Sequence, residues 1–151
     1  MASTITSGTL TVKITEEIIL NGRDQGSINE VTISDVGKVA KGVWKVLSAT
    51  NGTQIYGGAA TEASLGTHKS TDIKYIRVTN LDDTNFVILH LEGNAHYSQH
   101  KLEAGKSFML GTTVGFDNNA DVDSYSAETI TNITALAVGA DVDIEIFVAS
   151  A

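Results

Sequence analysis

IKYIRVTNLDDTNFVILHLEGNAHYSQHKLEAGKSFML, residues 73–110, is the stretch on which the reading of the fold turns. It opens with Ile73, Tyr75, Ile76 and Val78, apolar side chains crowding both faces of a strand over 73–79. A polar corner follows at 80–85, where Asn80, Asp82, Asp83 and Asn85 can bond nearby backbone and tolerate left-handed conformations. Residues 86–91 are apolar at five of six positions, the pattern of a strand covered on both sides. Gly93-Asn94 then suits a tight hairpin, which would pair Leu91 with His96 and His90 with Tyr97. A second turn at Ala104-Gly105-Lys106 leads into Phe108-Met109-Leu110. The unit reads as an antiparallel meander to which the other strands are added.

Working outward, residues 9–14 alternate cleanly, with Leu10, Val12 and Ile14 on one face and Thr9, Thr11 and Lys13 on the other. Ile18-Ile19-Leu20 runs into the turn signal Asn21-Gly22. An extended run from Gln25-Gly26 then places Asn29, Val31, Ile33 and Asp35 on one face. Residues 38–47 show some helical rhythm through Val39, Val43, Val46 and Leu47, but the β-branched valines and Gly42 weaken a helix there. A short turn followed by a strand over 43–49 is preferred. Asn51-Gly52 is a hairpin candidate before Gln54-Ile55-Tyr56. The small, polar 57–70 and the Gly-, Asn- and Asp-rich 111–123 read as long loops. Residues 128–138 can form a strand with Ile130, Leu136 and Val138 on one face. Val142, Ile144, Ile146 and Val148 then give the clearest period-two pattern of the chain. Eight to ten strands and little or no helix predict an all-β, antiparallel, jelly-roll-like β-sandwich.

The chain of 151 residues suits one domain, 1–151, with a flexible or partner-bound N-terminal arm of about residues 1–8. Its 42% hydrophobic content and mean hydropathy of +0.04 are those of a globular chain. No apolar run approaches the ~20 residues needed to cross a bilayer. The first eight residues lack the charged start and apolar middle of a signal peptide, so synthesis in a cytosol is expected. Zero cysteines exclude disulfides and thiolate chemistry, and zero prolines leave the turns to Gly, Asn, Asp, Ser and Thr. A net charge of −8 disfavours nucleic acid as a partner.

Chemistry-bearing patterns are sparse. Asp117, Asn119, Asp121, Asp123 and Glu128 fall at relative positions 1, 3, 5, 7 and 12, the spacing of an EF-hand loop. Val122 stands where that loop needs Gly, so a solvated turn is the plainer reading, with a cation loop of other geometry as the alternative. The histidines, His68, His90, His96 and His100, read as surface or interface residues. His96 and His100 would lie about four rises apart on one strand, roughly 13 Å, too far for one metal ion. Ser98 would sit roughly 7 Å from each of them, loose for a nucleophile and its base. No GxSxG and no phosphate-cradling GxxxxGK[ST] occurs, so no catalytic residue and no cofactor is expected. Trp44 and the tyrosines Tyr56, Tyr75, Tyr97 and Tyr125 are scattered, which favours core and interface roles over a sugar-stacking cluster.

Residues 74–82 and 86–89, with Leu102-Glu103-Ala104-Gly105-Lys106-Ser107-Phe108, resemble small β-sandwich virion proteins of tailed bacteriophages. In those chains a strand ending in an Asn-rich corner, a Phe/Val/Leu strand and a Leu-x-Ala-Gly-x-Ser/Phe turn recur. The resemblance implies a decoration (cement) protein on the capsid, or else a tail or fibre component. It implies a homo-oligomer, a trimer first, with the major capsid protein or other virion proteins as partners and the virion as location. No membrane partner is expected. The expected contact segments are 2–8, 57–70 and 111–123, burying edges and loops against identical neighbours. A carbohydrate-binding module is the competing expectation of a different class.

Overall fold

The computed structural model describes residues 6–49, 51–59, 68–110, 115–116 and 128–151. In chain order its strands are β1 (Gly8–Glu16), β2 (Ile19–Leu20), β3 (Arg23–Asp24), β4 (Ser27–Val36), β5 (Lys38–Val46), β6 (Thr53–Ala59), β7 (His68–Lys69) and β8 (Ile73–Asn80). There follow β9 (Phe86–Glu92), β10 (Tyr97–Leu102), β11 (Ser107–Leu110), β12 (Gly115–Phe116), β13 (Glu128–Thr129), β14 (Asn132–Val138) and β15 (Val142–Ser150). One turn of 3₁₀-helix, Ser70–Asp72, is the single helical element of the described residues. None of their helices is long and apolar enough to cross a membrane.

Two sheets make the body. One has the order β11-β8-β15-β5, the other β10-β9-β14-β6-β7, and all pairs are antiparallel except β6 with β7. Setting β7 aside, the connections are those of a jelly roll: β8 pairs with β11 around the nested pair β9–β10, and β5 and β6 pair with β15 and β14. The unit 73–110 is therefore not a meander. Its strands switch sheets at the corner 80–85 and switch back at Gly105. Alternation is what drives the switch. Ile76, Val78, Val87, Leu89, Leu91, Ile144 and Ile146 are all buried between the sheets. A flat meander would leave that face in water, at a loss of ~1.5–3 kcal/mol for each large aliphatic side chain.

Asn80 holds the first corner. It is 1% exposed, its Nδ2 donates to the carbonyls of Asn85 (2.9 Å) and Leu102 (3.3 Å), and its Oδ1 accepts from Asp82 N–H. Asp82 then caps the turn by accepting from the backbone N–H groups of Thr84 and Asn85.

Several expectations shift. The hairpin after β9 spans four residues, closed by Gly93 N–H to His96 O (2.8 Å), and pairs Glu92 with Tyr97 and Leu91 with Ser98. That moves the register by two positions and keeps the faces. His96 lies in this turn, off the strand. Residues 38–46 are strand throughout, because pairing with β15 along its whole length overrides the weak helical rhythm. The run 128–138 breaks at Ile130–Thr131, which reverses the face. Ile133, Ala135 and Ala137 point into the core, while Leu136 and Val138 are half-buried on the outside. Residues 86–92 alternate buried and half-buried, so the outer side is only partly covered; the Lys101 ammonium lies over the Phe86 ring, 4.2 Å from its centroid. β6 runs on through Ala59 and β7 begins at His68, which shortens the expected loop 57–70.

β1 and β4 leave the body as a separate two-stranded ribbon, prolonged by the small hairpin β2–β3. Gly8, within the expected arm, already belongs to β1; residues 1–5 lie outside the described residues.

Candidate functional site

The ribbon carries the surface that most needs an explanation. One face aligns Leu10 with Ile33, Val12 with Val31 and Ile14 with Asn29. Near the root, Leu10, Val12, Ile33 and Val36 pack on Tyr75, Phe147 and Ala149, on the outer face of the β11-β8-β15-β5 sheet. Tyr75 and Phe147 meet edge to face there, 6.0 Å between centroids. This explains why β8 is apolar on both sides: one side faces the core and the other lies beneath the ribbon.

A bulge at the root makes this seating work. Gly8 pairs with Val36 but Leu10 with Ile33, so β4 carries one extra residue, and Asp35 takes φ +55°. Simple alternation put Ile33 and Asp35 on one face. The bulge instead brings Val36 beside Ile33 and turns Asp35 outward.

Past Val12 the same stripe continues beyond the cluster that covers its root. Val31 and Ile14 are exposed, and the ribbon ends in Ile18, Ile19, Leu20 and Ile28, of which Ile19 is 77% and Ile28 66% exposed. The end is closed by Asn21 and Gly22, both at positive φ, as a two-residue type I′ turn requires. Gly26 is demanded by a close approach, since a Cβ there would sit 2.3 Å from Glu16 O. The knob is therefore a built hairpin, apolar on both faces. Contiguous uncovered aliphatics on a projecting element mark an interaction surface.

The outer face of β5 is a second uncovered area. Val39 and Val43 are exposed, on the side that their pairing with Ala149 and Glu145 makes the outer one. Lys38, Lys41 and Lys45 share this edge strand. Lys41 pairs with Glu145 at 3.2 Å, and Glu145 also pairs with Arg77. The Arg77 hydrogen bond, then that of Lys41, holds the Glu145 carboxyl below its ordinary value.

The other sheet bears a polar ladder across four neighbouring strands. Gln54 Nε2 donates to Asn132 Oδ1 (2.7 Å), Asn132 Nδ2 to Glu92 Oε2 (2.8 Å), and Glu92 Oε1 meets His90 Nε2 (3.1 Å). Gln99 Nε2 reaches His90 Nδ1 at 3.3 Å, and Tyr97, well exposed, tilts against the His90 ring. Asn132, then His90, lowers the Glu92 pKa, so the ladder contains a carboxylate that stays ionised. A shallow depression with Ile88 and Leu136 in its lining opens beside these groups.

The remaining expected sites resolve as follows. Ser98 Oγ lies 3.2 Å from His100 Nε2, closer than strand spacing suggested, because side chains two apart on one face can lean together. The pair sits on a regular strand with His100 tilted against Phe108 at 4.8 Å, and among the described residues no acid is seen to orient it. His68, expected at a surface or interface, is buried, with Nδ1 2.9 Å from Ser150 Oγ. Of the cation-loop candidates, Asp117, Asn119, Asp121 and Asp123 lie outside the described residues, as does Tyr125. Glu128 faces the β9–β10 turn instead. It accepts from the N–H groups of Ala95 and His96, which hold its pKa down, and its Oε1 lies 3.2 Å from His96 Nδ1. Among the described residues no group of three or more His, Asp or Glu side chains is placed to hold a metal ion.

The ribbon end lay outside all three expected contact segments. A signal for it was present in Ile18-Ile19-Leu20-Asn21-Gly22. An aliphatic triplet abutting a two-residue turn has no room to be buried by its own hairpin. No family model, no curated protein and no solved structure matches the chain.

Proposed function

We propose that this chain is a non-enzymatic structural protein that works by assembling with other subunits, as a decoration protein on a phage capsid. The observation that carries the reading is the ribbon's apolar end, held clear of a body that has its own complete core. A hairpin of this size is marginal alone, and its exposed aliphatics stabilise nothing until a partner covers them. The virion placement draws on the resemblance of residues 73–110 and on a strand order that viral capsid proteins share with lectins and cupins. Tail or fibre placement is the second position for the same role. The test is sedimentation of the purified chain over a concentration series, followed by addition to emptied phage capsids. A discrete oligomer that decorates the shell supports the proposal. Binding confined to the portal vertex moves it to the tail, and a persistent monomer that ignores particles removes it.

The ladder of Gln54, Asn132, Glu92, His90 and Gln99, with Tyr97 beside it, favours a second reading as a carbohydrate-binding module. Fixed donors and acceptors next to an exposed ring suit a sugar's hydroxyls and its apolar face. Glycan-array binding by dilute protein that is lost in Tyr97→Ala would support it.

A further inference from the structure

We infer that the uncovered end of the ribbon is occupied by a second copy of this chain, docked on the outer face of that copy's β5. The inference rests on the self-association reading and names its surfaces.

Continuity is the first argument. The root half of the stripe, Leu10, Val12 and Ile33, already packs on the outer face of its own β11-β8-β15-β5 sheet. The far half, Ile14 and Val31, presents the same kind of surface left 40% and 45% exposed. On that sheet face Met109 of β11 is exposed beside the ribbon's root, and away from the root Val39 and Val43 on β5 are left bare. Each copy thus carries both halves of one contact.

Charge is the second argument, and it is independent of the first. Residues 16–30 hold Glu16, Glu17, Asp24 and Glu30 against Arg23 alone, four acids less one base, a net of −3. Around β5 the outer sheet face holds Lys41, Lys45 and Arg77 against Asp143 and Glu145, three bases less two acids, a net of +1 in a chain whose total is −8, while Lys38 lies on the opposite face. Lysine on an edge strand also discourages indiscriminate strand pairing. An acidic ribbon is the guest that such an edge still admits. A lipid surface is the poorer occupant, because Glu16, Glu17 and Asp24 flank the apolar knob and repel anionic headgroups.

Ribbon end and β5 are different patches, so the contact is heterologous, and every copy both donates and receives. Closure gives a ring or a reciprocally exchanged pair. In a reciprocally exchanged pair two such contacts join the same two copies, toward the roughly 1,200–2,000 Å² that specific interfaces bury.

The test uses the intact chain and point variants in sedimentation and cross-linking. Ile19→Asp with Leu20→Asp changes only exposed side chains. It raises the dissociation constant on the order of a hundredfold while the thermal midpoint of dilute protein stays put. Lys45→Glu weakens assembly in the same direction, and added salt does likewise. The chain has no cysteine of its own, so Leu20→Cys protein mixed with Val43→Cys protein reports the contact directly. The expected product is the mixed disulfide, well above either self-linked species. Intact protein that assembles while the tip variants assemble equally and the mixed disulfide is absent overturns this contact and leaves self-association standing. Monomer at every concentration overturns both. Flotation with phosphatidylcholine vesicles, abolished by the tip substitutions, assigns the knob to a bilayer and overturns the inference.

Discussion

Body and ribbon are written in the same pattern and end in opposite situations. In both, aliphatic residues alternate along antiparallel strands. In the body, Val87, Leu89 and Leu91 meet Ile144 and Ile146 across the sandwich and vanish from solvent. In the ribbon, Leu10 and Val12 find the outer face of a sheet, and two residues further on Ile14 is left 40% exposed. Alternation specifies a face that requires cover; it does not say whether the cover belongs to the same chain. The body answers that demand by itself, and the ribbon answers it in part.

Substitution in each region should separate the two most sharply. Leu89→Ala or Ile144→Ala, both fully buried, is expected to lower unfolding free energy by about 3–4 kcal/mol. Ile19→Ala at the ribbon end should stay within about 0.5 kcal/mol for dilute protein, as exposed sites do. Chemical denaturation measures both, and equal losses would erase the distinction. Asn80→Ala comes next. It strands the carbonyls of Asn85 and Leu102 and removes the acceptor for Asp82 N–H, for an expected loss of about 2–3 kcal/mol.

Acid should act on the body through four carboxyls. Asp82 is held low by the backbone N–H groups of Asn85 and Thr84, Glu92 by Asn132, Glu128 by Ala95 and His96, and Glu145 by Arg77 and Lys41. A carboxyl whose pKa is lower folded than unfolded stabilises the fold above its ordinary value. That contribution is lost as pH falls through the lower folded value. The thermal midpoint should therefore hold down to the ordinary values, 4.5 for Glu and 3.8 for Asp, and decline below them. A midpoint that rises on acidification would contradict the assignment.

Two smaller effects refine the picture. Burial pushes the Tyr56 phenol to about 12, and its hydroxyl finds no hydrogen-bond partner among the described residues. Tyr56→Phe removes an unpaired polar atom and should leave stability unchanged or raise it by up to about 1 kcal/mol, measured by denaturation. Asp35→Gly relieves a left-handed residue at the bulge and should shift stability by less than about 1 kcal/mol, whereas Asp35→Val lowers it.

Much of the body was legible. The strands 73–79 and 86–91, the Asn/Asp corner between them and the alternation of Ile144, Ile146 and Val148 all follow from local patterns, and together they indicate a sandwich. Pairing was less legible. That β8 turns from β9 to meet β11 depends on which faces seek each other, and no short window contains that. The bulge at Ser34–Asp35 hid for a related reason: it shows only when Gly8–Val36 and Leu10–Ile33 are compared. The ladder from Gln54 to Gln99 joins residues far apart in sequence, so no spacing rule announces it. Ile18-Ile19-Leu20 was visible as an apolar triplet, but its exposure depends on there being no sheet opposite.

The nesting of the jelly roll has a temporal side. β5 and β15 pair through Trp44–Ile144, a hundred positions apart, and β6 must wait for β14. Closure over such separations is slow, on the order of milliseconds to seconds for all-β domains, whereas a hairpin zips in roughly 1–10 μs. Within this order of strands, β1 to β4 precede the sheet that covers the ribbon's root. Leu10 and Val12 gain that cover only once Tyr75 and Phe147 have taken their places, so the ribbon, marginal alone, is set by strands that follow it.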